Sequence, residues 1–114
     1  MRIVVDAMGS DDHPGPDVIG AVMAAREFGV SIVLIGDRLR VEAELATQDT
    51  NGLNIEVRHA GEAIGMKDSP AAAARDKRDS SMHGGLALLR AGEADAFVSA
   101  GNTGAILALS LIHI

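Results

Sequence analysis

Apolar positions along the chain gather in short runs, each followed by a glycine-rich turn or a helical stretch. The first run, RIVVDAM, is β-branched and ends in GSDDHPGPD, which predicts a buried strand entering a loop. Asp17 is placed to cap VIGAVMAAREF, whose apolar residues keep helical spacing until Gly29 closes the helix. VSIVLIGD and NIEVRHAG predict a second and a third strand, with the helical RLRVEAELATQ between them. Beyond them, DSPAAAARDKRDSSMHGGLALLRAGEAD predicts a helix opening at Ser69-Pro70, a break between Ser80 and Gly85, and a further helix. DAFVSAG is the fourth strand. Strands that alternate with helices need crossovers, so the fold class is α/β, with a mostly parallel sheet and helices on both faces. No repeat or linker divides the chain, and its 114 residues fit one domain at most.

Composition narrows the function. Aromatic residues are 2% of the chain, with no Trp or Tyr, so the core must be aliphatic. Met23, Met66 and Met82 read as core filler. A net charge of -6 and the lack of stacking side chains argue against nucleic acid as a partner. The absence of cysteine excludes a disulfide framework, a thiolate metal site and a Cys nucleophile within this segment, and fits the cytoplasm. No stretch has the length of a signal h-region or a membrane span, so membrane contact would be peripheral. No spacing of His, Asp and Glu suggests a metal, and no cofactor is expected.

Three stretches carry candidate chemistry. Asp6, Gly9, Ser10 and Asp11 follow the first strand directly, where ligands of open α/β sheets bind; the same residues also make ordinary turns. His13 reads as a loop histidine, and the loop lacks the dinucleotide glycine pattern. In SAGNTGA, a strand runs into a helix through Ser99, Gly101 and Gly104, where exposed N–H groups favour a phosphate, a carboxylate or an oxyanion. Asn102 and Thr103 would either add donors to that anion or cap the helix. Lys77 and Arg78, with Arg75, stand beside Ser80 and Ser81; they could hold phosphate, or form ion pairs with Asp76 and Asp79 on a solvated face.

Together, RIVVDAMGSDDHPGP, VLIGD, MKDSPAAAARDKRDSSM and GEADAFVSAGNTGA resemble, in order from residue 2 to about 108, the amino-terminal part of the bacterial phosphate acyltransferase family PlsX. The resemblance implies transfer of a long-chain acyl group from acyl carrier protein to inorganic phosphate, giving acyl phosphate for phospholipid synthesis. It implies an isocitrate/isopropylmalate dehydrogenase-like fold, a homodimer, and no nicotinamide. It assigns Asn102, Thr103 and nearby N–H groups to phosphate or oxyanion contact, and Lys77 to anion attraction. Asp6 to Asp11, Lys77 to Ser81, Ser99 and Gly101 to Gly104 would line the substrate cleft. Ser10 stands where the family generally has a second glycine; a left-handed backbone there would cost about 1 kcal/mol. Rival readings are a short-chain acyl-coenzyme A phosphate acyltransferase of similar fold and a non-catalytic anion-binding module. Family members are longer, so residues 1–108 are expected to be an incomplete α/β domain that is inactive alone. Leu109 to Ile114, LSLIHI, are expected to be non-native, because their codons resemble a sequencing-adapter end.

Overall fold

The computed structural model describes the backbone of residues 1–113 and side chains through residue 111. The elements are β1 (Arg2–Asp6), α1 (Gly15–Phe28), β2 (Ser31–Gly36), α2 (Arg38–Leu45), β3 (Ile55–His59), α3 (Pro70–Asp76), α4 (Ser81–Arg90), β4 (Ala96–Val98) and α5 (Thr103–His113). All strand pairings are parallel, in the order β3-β2-β1-β4.

Alternation along the strands explains why both sheet faces are apolar. Ile3 and Val5 of β1, Ile32 and Leu34 of β2, and Ile55 and Val57 of β3 pack with Val18, Ala21, Val22 and Ala25 of α1 and Val41 of α2. The alternate residues, Val4, Val33 and Ile35, meet Leu88 of α4 and Phe97 of β4 on the opposite face. A third cluster joins Ala73 and Ala74 of α3, Met82 and Leu86 of α4, and Ala105 and Leu109 of α5. Each large aliphatic side chain so buried contributes about 1.5–3 kcal/mol.

Several boundaries differ from the sequence expectation. Helix α1 begins at Gly15, so Asp17 lies within its first turn and is not the cap; its carboxylate instead accepts hydrogen bonds from Ser10. Pro16 suits this early start because its ring presets the helical φ where no N–H is needed. Gly29 does close the helix, at φ 66°, with its N–H on the Ala25 carbonyl. The later break is Lys77–Ser80, and Gly84 and Gly85 lie inside α4. Ser80 caps α4 by accepting from the His83 N–H at 3.1 Å. The two glycines let α4 lie close to the sheet: a Cβ on Gly84 would fall 2.5 Å from Ile35 Cδ1, and one on Gly85 2.2 Å from Phe97 Cε1. Met82 is core, but Met23 and Met66 are 63% and 56% exposed, because α1 and the loop after β3 turn them outward. The expected boundary at residue 108 falls within α5; Leu109 is buried, and the side chains of residues 112–114 lie outside the described residues. Among the described residues no helix is long and apolar enough to cross a membrane.

Candidate active site

The chain builds the sheet outward from β1 to β2 and β3, then returns to place β4 on the other side of β1. The reversal places the switch point at the carboxyl ends of β1 and β4, the position where open parallel sheets bind ligands. Two loops bound it, one running from Ala7 to Pro14 and one from Ser99 to Asn102.

Asp6, at the end of β1, is 3% exposed and ties these loops together. Its Oδ1 accepts from the Ser81 hydroxyl at 2.5 Å and the Met8 N–H at 3.0 Å. Its Oδ2 accepts from the Ser99 hydroxyl at 2.8 Å. Ser99 Oγ in turn accepts from the Gly101 N–H at 3.0 Å. The loops approach so closely that a Cβ on Gly9 would lie 3.0 Å from both Gly101 N and Ser99 Oγ, so Gly9 is needed for want of space. Ser10 has no left-handed backbone, so the expected strain is absent. Its N–H and hydroxyl reach Asp17 at 3.3 and 3.1 Å. Burial pushes the Asp17 carboxyl above its usual range, against the pull of those two hydrogen bonds. Asp11 is exposed, and the ring of His13 folds back onto the Ser10 carbonyl.

A second group of expected residues holds the loop after β3. Asn102 precedes α5 and caps it, its Oδ1 accepting from the Ala105 N–H at 3.1 Å. Its amide nitrogen donates to the carbonyls of Gly65 at 3.2 Å and Asp68 at 3.0 Å. Lys77 Nζ reaches the same loop, donating to the Ala63 carbonyl at 3.0 Å and to Asp68 Oδ2 at 2.7 Å. Lys77, and then the Gly65 N–H, hold the Asp68 carboxyl below the ordinary carboxylate range. Asn102 and Lys77 therefore clamp one loop from two sides. Gly104 serves packing: a Cβ there would be 2.6 Å from Pro70 Cγ. Thr103 is exposed at the first turn of α5.

The segment from Lys77 to Ser81 divides. Ser81 turns to Asp6, whereas Arg78 and Ser80 line a separate open cavity of about 420 Å³ beyond β2 and β3, with His59, Glu62 and Asp79. Arg75 pairs with Asp76 in solvent, as the ion-pair reading has it. Sequence reasoning missed Asp68 and Asp17 as anchors. Each meets its partner through a loop reversal, and no periodicity signals that. Among the described residues no three His, Asp or Glu side chains converge on a point where a metal could sit.

The chain is a doubly wound α/β unit with small, hydroxyl-bearing and glycine loops at its switch point. Comparison with known families makes this specific. The family model described as fatty acid synthesis protein matches residues 1–114. A phosphate acyltransferase of Citrifermentans bemidjiense is 53% identical over 111 residues, which are 97% of this chain and 32% of the relative. A phosphate acyltransferase of Herpetosiphon aurantiacus is 52% identical over 111 residues, 97% of this chain and 30% of the relative. The chain belongs to this fatty acid synthesis protein family, and it spans about a third of the length of these curated relatives.

Proposed function

We propose that the protein carrying this segment transfers a fatty acyl group from acyl carrier protein to inorganic phosphate, forming acyl phosphate for phospholipid synthesis. The observation that carries this reading is the match of nearly the whole chain, at about half identity, to relatives named phosphate acyltransferase. A phosphate oxygen attacks the thioester carbonyl, the new C–O bond forms, the C–S bond breaks, and the thiolate takes up a proton. No electrons are exchanged, so the step needs no redox cofactor. Phosphate is already anionic near neutral pH, and the protein has mainly to position it and to stabilise the developing oxyanion.

In this reading the N–H groups opening α5 and the Thr103 hydroxyl face the phosphate or the oxyanion. Asn102 and Lys77 are positioning residues that hold the Gly65–Asp68 loop over the site; their contacts with that loop support the assignment. Asp6 fixes the distance between the two switch-point loops. The complete protein would be a cytoplasmic homodimer of the isocitrate/isopropylmalate dehydrogenase-like kind that meets the membrane peripherally.

The test is a phosphate-dependent assay of the full-length protein, with acyl phosphate trapped as a hydroxamate. Product that requires both phosphate and acyl-[acyl carrier protein] is expected. Exclusive use of short-chain coenzyme A thioesters would instead favour a short-chain enzyme, and no product from any donor would leave an anion-binding module. Asn102→Ala is expected to lower kcat/KM at least tenfold, and full turnover by that variant would remove Asn102 from the site.

A further inference from the structure

We propose that Ser10 is a positioning residue for the acyl transfer: tied to Asp17 of α1, it holds Gly9 against the loop that enters α5 and so fixes where the N–H groups of α5 meet phosphate. The inference rests on the acyl-transfer reading and gives Ser10 a part other than the contact with substrate expected from the sequence.

The donors of Ser10 are already committed. Its N–H and its hydroxyl both donate to Asp17 Oδ2, at 3.3 and 3.1 Å. Its carbonyl accepts from the His13 N–H at 3.3 Å and from His13 Nδ1 at 2.7 Å; a carbonyl has no proton to give, so Nδ1 carries the hydrogen. A phosphate oxygen could take either donor of Ser10 only by displacing Asp17, and it would then stand beside a carboxylate of its own sign.

Asp17 gives Ser10 a fixed point to hold. It lies in the first turn of α1, and Val18 and Ala21 of that helix are buried against the sheet. A second tie runs to α2, where Arg40 Nη2 donates to the His13 carbonyl at 3.1 Å. Asp6 joins the two switch-point loops at their roots, and Ser10 restrains the first loop farther out. The restraint passes on without slack: Gly9 adjoins Ser10, and a Cβ on Gly9 would fall 3.0 Å from Gly101 N and 3.1 Å from Ala100 N. Thr103, where α5 begins, follows Gly101 by two residues. Without the Ser10 hydroxyl, only the longer N–H bond would join this part of the loop to α1, and Gly9 would be free to withdraw from Ala100 and Gly101. Reacting groups tolerate little displacement, since a misplacement of about 1 Å can cost roughly a hundredfold in rate.

The experiment measures acyl hydroxamate formation by the full-length enzyme over ranges of phosphate and of acyl-[acyl carrier protein], for wild type, Ser10→Ala, Asp17→Ala and the double variant. Tm and hydrogen exchange across residues 99–104 are recorded for each. Ser10→Ala is expected to raise KM for phosphate about three- to tenfold, the factor for losing one hydrogen bond of ordinary strength, and to leave KM for the acyl donor within about twofold. Exchange across residues 99–104 is expected to quicken. In the Asp17→Ala background the same change is expected to add nothing, because Ser10 acts through Asp17. Equal rises in both KM values, or a Tm loss with neither KM moved, overturn the inference, since a general loosening accounts for them. A full effect of Ser10→Ala in the absence of Asp17 also overturns it, because Ser10 would then meet phosphate itself. If Asp17→Ala does not fold, the split between the two KM values and the exchange in Ser10→Ala decide. If wild type makes no acyl phosphate from any donor, the acyl-transfer reading fails; faster exchange in Ser10→Ala would then still show that Ser10 holds the second loop, and unchanged exchange would show that it does not.

Discussion

Asp6 does more for the switch point than any neighbouring side chain, because it is buried and accepts three hydrogen bonds from three parts of the chain. Asp6→Ala would leave the buried Ser81 hydroxyl and Met8 N–H without their acceptor, each costing about 1–3 kcal/mol, while the half-buried Ser99 hydroxyl could turn to water. A loss of about 2–4 kcal/mol is expected in urea unfolding of the full-length protein, and a loss under about 0.5 kcal/mol would show that the loops do not depend on Asp6. None of this could be read from the sequence. Ser81 and Ser99 lie 75 and 93 positions from Asp6, and only the parallel register brings them to it. Asp17 gives a pH signature. Its folded-state pKa is raised by burial, so the folded protein takes up its proton before the unfolded chain does, and stability rises as pH falls through that raised pKa. Asp17→Asn lacks the effect. Wild type should therefore gain Tm relative to the variant as pH is lowered from 7 to 4, and a constant difference would show that Asp17 keeps its ordinary affinity for the proton.

Helix α4 shows what the apolar pattern specifies and what it leaves open. The four strands and their parallel pairing follow from apolar runs separated by helical stretches, and all four are present; their order comes from the structure. The break before α4 was misplaced because two glycines usually suggest a turn. Here they bring a helix against Ile35 and Phe97, a tertiary reason that local sequence does not express. Gly85→Ala should accordingly destabilise the protein, although alanine favours helix by about 1 kcal/mol, since overpacking typically costs about 1–3 kcal/mol. Phe97→Leu should recover part of that loss. Additive effects in the double-mutant cycle would mean that the two side chains do not meet. Asn102 allows a similar separation at the start of α5. Asn102→Ser keeps a cap acceptor but removes the donations to the loop after β3, whereas Asn102→Ala removes both. The alanine variant should lose about 1–2 kcal/mol more than the serine variant, the usual cost of a lost helix cap.

Taken as a whole, the segment is an α/β unit with one side unfinished. The outer edge of β4 pairs with no strand among the described residues, and β4 is only three residues long. Val98, Leu107 and Leu111 are 54%, 64% and 72% exposed. An open parallel edge beside apolar side chains is a template for further pairing. A net charge of -6 opposes association, but at 0.1 M salt the repulsion is largely screened beyond about 10 Å, so it does little to hold approaching copies apart. The 114 residues expressed alone are therefore expected to self-associate, and to do so more as salt is raised. Sedimentation velocity at low and at moderate ionic strength measures this, and a hydrophobic dye reports the exposed surface. The full-length protein should bind the dye weakly under the same conditions, because the additional two thirds of the relatives' length would then cover this side. A monomeric segment at both ionic strengths, with no more dye bound than by the full-length protein, would mean that β4 and α5 are self-sufficient. In that case the switch point could be studied in the isolated segment.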